Sequence, residues 1–164
     1  MASRRTFLKT GLIGGALLAA GGLAALLVGR DAERDRNEVV RALVPAMLDG
    51  ALPADAKARD AAIDRCVEGV AIAVRGLSPA AQEEAGQLFA LLAMAPTRLA
   101  LAGIGSSWDK ASAADVAGFL QRWRGHRVGL LQSGYLALHD LVLGAWYGDE
   151  RNWQSIGYGG PLNL

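Results

Sequence analysis

Between Gly11 and Gly29 the chain carries no charged residue, and this run of 19 residues constrains the fold more than any other feature. It is built from Leu, Ala and Gly with one Ile and one Val, and its hydropathy sums to about +38 units. The whole chain, at mean hydropathy +0.21 over 164 residues, sums to about +34 units. The excess therefore sits in one segment, and the rest of the chain is close to neutral. As a helix at roughly 1.5 Å per residue the run spans roughly 28 Å, near the hydrocarbon thickness of a bilayer. It reads as an N-terminal anchor in an inner membrane. Six glycines weaken it as a helix, and Gly22-Leu23-Ala24 offers small residues at which it could instead be removed. From Arg30 onward about half of the residues are still apolar, enough to bury a core and to exclude disorder for most of the chain.

The run is preceded by Ser3-Arg4-Arg5-Thr6-Phe7-Leu8-Lys9. Paired arginines framed by Ser, Phe, Leu and Lys, followed by a Gly/Ala-diluted apolar stretch, resemble the twin-arginine export signal. Such signals are addresses read by a receptor. The resemblance implies a translocase that accepts folded protein, so that folding precedes export. The expected location is the periplasmic face of the bacterial inner membrane, or the soluble periplasm if the segment is cleaved. Counting basic residues does not set the direction, since Arg30, Arg34, Arg36 and Arg41 follow the run and three basic residues precede it. The export pattern does.

Beyond the signal, residues 1–29, the chain divides into a charged linker or fraying first turn over 30–37, a helical domain over 38–148 and an irregular tail over 149–164. From Arg30 onward, 14 basic residues face 16 acidic ones, which indicates no nucleic-acid surface. Val39, Val40, Leu43, Val44, Met47 and Leu48 recur at helical spacing until Gly50 and Pro53. Ile63, Cys66, Val67, Val70 and Val74 form the apolar stripe of a long helix over Asp55 to Gly76. Ser78-Pro79 places a capping hydroxyl before a proline at the first helical position. Leu88, Leu91, Leu92 and Ala95 follow, and Thr97 to Ala102 adds a short turn after Pro96. Ser112 with Asp115 has the shape of a capping box ahead of Val116, Phe119, Leu120 and Trp123. Past Gly125, a final stripe of Val128, Leu131, Tyr135, Leu138, Val142, Ala145 and Trp146 ends at Gly148. No stretch alternates with period two. The predicted architecture is all-α: a signal or anchor helix, a small bundle of five or six helices, and an irregular aromatic C-terminal tail.

No catalytic or metal constellation emerges. His126 and His139 are the only imidazoles, and a separation of 13 fits no ligand pair on one helix face. His139 and Asp140, adjacent on a helix, are expected to point apart. Cys66 cannot form an intrachain disulfide and falls on an apolar stripe, as a buried inert thiol would. Gly103-Ile104-Gly105-Ser106-Ser107 lacks the spacing and the lysine of a phosphate loop and reads as an interhelical connection. Arg122, Trp123, Arg124 and Arg127 read as a solvated basic cap on a helix C-terminus. Leu88, Leu92, Phe119 and Leu138 are candidates to line an apolar ligand site if the chain is a stand-alone periplasmic binding module.

The tail concentrates aromatic residues: Trp146, Tyr147, Trp153 and Tyr158 fall within 13 positions. Large rings on an irregular segment must bury themselves on their own bundle or on a partner. The run Trp146-Tyr147-Gly148-Asp149, then Trp153, Ile156-Gly157-Tyr158 and Gly160-Pro161, resembles the ending of small subunits that accompany periplasmic flavin dehydrogenases of the glucose-methanol-choline type. These are the gluconate 2-dehydrogenase subunit 3 and sorbitol dehydrogenase small-subunit group. Leu43-Val44-Pro45-Ala46-Met47-Leu48, Asp49-Gly50-Ala51-Leu52-Pro53 and Phe119-Leu120-Gln121-Arg122-Trp123-Arg124 extend the similarity more loosely. The resemblance implies a non-catalytic accessory subunit that escorts a large flavoprotein through the twin-arginine translocase, with FAD in the partner and no cofactor in this chain. It implies partner contacts at Trp146, Tyr147, Trp153, Ile156, Tyr158 and Pro161. The apolar run is more anchor-like than in many such relatives.

Overall fold

The computed structural model describes residues 30–153 and residue 157; the export pattern and apolar run, and Ile156, Tyr158 and Pro161, lie outside the described residues. Among the described residues there are six α-helices and no strand. They are α1 (Ala32–Met47), α2 (Ala56–Arg75), α3 (Pro79–Ala93), α4 (Ala95–Ala102), α5 (Ala113–Arg124) and α6 (Gly129–Gly148). Short 3-10 turns occupy Trp108–Lys110 and Glu150–Asn152.

Of the segment over 30–37, expected as a linker or a fraying first turn, residues 32–37 form the start of α1. Asp31 caps it, its carboxylate accepting from the backbone N–H groups of Glu33 and Arg34 at 3.0 Å each. Arg30 then closes a two-pronged bond on Asp35, at 2.7 Å from both Nε and Nη2, so the carboxylate is buried with its charge compensated. Arg36 is also buried and donates to the Asn37 side chain. Charge density signals solvation only where charges lack partners in the fold. These have them.

Side-chain caps, two of them read from the sequence, set the other boundaries. Asp55 accepts from Ala58 N–H at 2.8 Å, Ser78 from Ala81 N–H at 3.4 Å, and Ser112 from Asp115 N–H at 3.1 Å. Met94, in an extended conformation, ends α3 and begins α4, and the two axes meet at 93°. Pro96, which has no N–H to continue the α3 ladder, lies in the first turn of α4. Gly103 closes α4 in the left-handed region, at φ 68°, which disfavours any side chain. At Gly125 the chain does break: α5 stops at Arg124 and α6 starts at Gly129.

α1 is the central element, packing on α2, α3, α5 and α6, while α2 lies against α6. Val39, Val40, Leu43 and Val44 of α1 meet Val70 of α2, Phe89 and Leu92 of α3, Phe119 of α5 and Leu138 and Val142 of α6 in one core. Two glycines allow close helix approach: a Cβ on Gly69 would meet the Ala145 Cβ at 2.9 Å, and one on Gly134 would meet the Trp123 ring at 2.6 Å.

Candidate functional site

The aromatic end of the chain separates into parts with different roles. Trp146, expected to meet a partner, is 2% exposed and belongs to the chain's own core, because α6 turns that face toward α1 and α2. No partner can reach it without unfolding. Its indole Nε1 is buried without a hydrogen-bond acceptor among the described residues. Tyr147, one position on, is 47% exposed. Trp153 is half-buried and folds back on α6, its indole N–H donating to the Tyr147 carbonyl at 2.7 Å. Buried Asn152 donates likewise to the Trp146 carbonyl at 2.9 Å. The start of the expected irregular tail is thus an ordered 3-10 turn that caps α6 with side-chain donors.

Asp149 fixes that turn to the bundle. Its carboxylate lies 2.8 Å from Arg151 Nε and 3.4 Å from Arg65 Nε on α2. The hydrogen bond from the Arg151 side chain, helped by the Arg151 backbone N–H and the charge of Arg65, holds Asp149 below the usual carboxylate range. At this turn Tyr147 is exposed beside the half-buried Trp153.

The side chains weighed for chemistry have structural settings. Cys66 is buried, within 3.7 Å of the Val142 carbonyl, and burial pushes its thiol up to about 11, as expected of an inert thiol. His139 and Asp140 do meet, contrary to expectation: both side chains bend along the helix surface until Nδ1 and Oδ1 are 3.2 Å apart. His139 lies against Tyr135, ring centres 5.6 Å apart, at the edge of a shallow cleft of about 180 Å³ with a floor of Met47 and Leu120. Gln121 is the other polar group there. The proposed apolar ligand site is filled: Leu92, Phe119 and Leu138 pack into the core, with Leu88 against it.

The basic cluster after α5 is not a plain solvated cap. Trp123 is buried, edge-on to Phe119 with centroids 4.9 Å apart, and its Nε1 donates to the Leu101 carbonyl at 2.9 Å. Arg122 donates to the Ala102 carbonyl at 2.5 Å. Related bonds surround the α3–α4 elbow. Trp108 Nε1 donates to Leu92 O at 2.8 Å, and buried Arg98 donates to Ala93 O at 3.0 Å and to Ile104 O at 3.3 Å. Thr97 Oγ1 donates to Leu91 O and to Met94 O. The carbonyls that two helix ends leave without intrahelical partners are thus satisfied by side chains, several of them from distant elements. The sequence shows these donors and gives no sign of which carbonyls they reach.

Comparison with protein-family models, with curated proteins and with solved structures returns no match for this chain.

Proposed function

We propose that this chain is the non-catalytic small subunit of an oxidoreductase complex, which binds, stabilises and escorts an FAD-dependent alcohol or sugar dehydrogenase through the twin-arginine route. In this reading the large subunit carries the flavin and the chemistry, and the small one supplies the address. Residues 11–29 then hold the complex at the periplasmic face of the inner membrane.

The observation that carries the reading is Ser3 to Lys9, an export pattern for folded cargo, at the head of a chain with an aromatic C-terminal segment. A signal read on folded protein suits a cargo that must take up its cofactor before crossing. Support also comes from the chain exit, where Tyr147 is exposed beside Trp153 on a turn fixed by Asp149 to Arg65. Rigid aromatic side chains are efficient interface anchors because little entropy is lost on ordering them.

Two experiments test it. The chain, expressed with its neighbouring coding sequences, should co-purify as a yellow complex with a flavoprotein; a clean subunit with no flavin-bearing partner would sink the reading. Replacing Arg4 and Arg5 by Lys should strand both subunits in the cytoplasm. Partner export that survives the change refutes the escort role.

A further inference from the structure

We infer that the corner formed by α4, the end of α5 and the start of α6 is a docking surface for a folded protein partner whose contact patch is apolar at its centre and ringed by carboxylates. The inference deepens the proposed function and rests on it.

Three observations converge. Between Ala85 and Trp108 the sequence holds one charged residue, Arg98, and its guanidinium is turned inward onto the Ala93 and Ile104 carbonyls. The outer face of α4 is consequently uncharged: Leu99, 58% exposed, stands among exposed Ala95, Pro96, Ala100 and Gly105. Small neighbours around a single large apolar side chain leave a flat face that a partner's backbone can approach closely.

The end of α5 and the start of α6, next to this face, carry charge of one sign. From Val116 to His139 the sequence contains Arg122, Arg124 and Arg127 and no carboxylate, and none of the three has an ion pair among the described residues. Arg122 reaches the α4 end through the Ala102 carbonyl. Arg124 follows Trp123, whose indole is bonded to Leu101, and Arg127 precedes Val128, which is 52% exposed. Of the nearby acids, Asp115 accepts from the Ser112 hydroxyl at 2.7 Å, and Asp109 is bonded to Ser107 beside Lys110. Arginines without ion pairs on the α5–α6 side of an uncharged face call for a complement of carboxylates.

Finally, the corner is rigid, because Thr97, Arg98, Trp108, Arg122 and Trp123 tie its carbonyls in place. A pre-organised face loses little entropy on docking, which favours a protein partner of fixed shape. A lipid surface needs no such rigidity and gains from bulkier insertion than Leu99 and Val128 offer.

The test uses the full chain carrying Leu99→Cys, since Cys66 is the single native thiol and is buried. Maleimide labelling of the introduced thiol should slow by roughly tenfold or more in the yellow complex relative to the free subunit, as a covered interface requires. An Ala61→Cys control on exposed α2 surface should label alike in both. Loss of assembly by Leu99→Cys or by Arg124→Glu with Arg127→Glu, at an unchanged melting curve, supports the assignment equally. An intact complex in which the introduced thiol labels at the free rate overturns the inference and leaves the proposed function standing. Equal slowing by phosphatidylglycerol vesicles without the flavoprotein overturns it in favour of lipid. Absence of any flavoprotein complex removes both readings together.

Discussion

The α1–α2–α6 side and the corner around α4 are held together by different physics. On the first side, Val39, Val40, Leu43, Val44 and Val70 interlock with Val142 and Trp146, and Gly69 lets α2 approach Ala145. On the second, side-chain donors span gaps in the backbone at the ends of α3 and α4. Apolar packing tolerates exchanges that conserve volume; a directed bond to a buried carbonyl does not. The core therefore depends on filled space and the corner on a few named nitrogen atoms.

The largest expected effect comes from Trp123, which serves both regimes. Trp123→Ala should cost about 3–5 kcal/mol in urea unfolding, because it removes a buried ring and orphans the Leu101 carbonyl. Leu43→Ala, a loss of packing alone, should cost about 2–5 kcal/mol. The comparison is sharpened by Trp123→Phe, which keeps most of the packing and loses the bond, and should cost about 1–3 kcal/mol. A value near zero there would break the claim that donors hold the corner.

Gly134→Ala should destabilise by about 1–2 kcal/mol in thermal or urea melts, since its Cβ would enter the Trp123 ring by more than the gain in helix propensity offsets. A stabilised variant would mean that the ring shifts freely and that the corner is not rigid.

Asp149 ties the terminal turn to α2 on the first side, and its effect is a pH dependence. Its pKa is lowered in the folded chain, first by the Arg151 hydrogen bond, so its contribution is present above the unfolded value of about 3.9 and is lost as pH falls through the folded value. Melting temperature followed from pH 6 down to pH 2 should therefore fall less steeply in the acid range for Asp149→Asn than for the native chain. Parallel curves would remove Asp149 as the tie between the terminal turn and α2.

The smallest effect belongs to the surface. The Arg41–Asp64 pair is more than half exposed on both sides, and Asp64→Ala should change unfolding free energy by less than about 0.5 kcal/mol. A change above about 1 kcal/mol would show that surface ion pairs, too, help hold α1 to α2.

Much of the fold was legible residue by residue. Ser78 and Ser112 cap helices where the sequence placed them, a helix starts at Asp55 as its spacing indicates, and the stripes through Val70, Phe119 and Val142 face the core, because caps and periodicity act within a few positions. At the start of α1, Arg30, Asp31, Glu33 and Arg34 are exposed as their charge suggests, whereas the burial of Asp35 and Arg36 shows only once Arg30 is seen closing on Asp35. Of the expected partner residues, Trp146 faces the core and Tyr147 faces out. Which of two adjacent rings is covered depends on how α6 is rotated against α1 and α2.

By itself the sequence determined an all-helical body and the places where most of its helices begin. Tertiary structure alone decided where Arg98, Trp108, Arg122 and Trp123 send their N–H groups, and hence that the α4 face is left without charge. The reason is that a carbonyl at a helix end is chemically the same in every sequence. A side chain finds its own acceptor only when packing brings a distant element within about 3 Å of it.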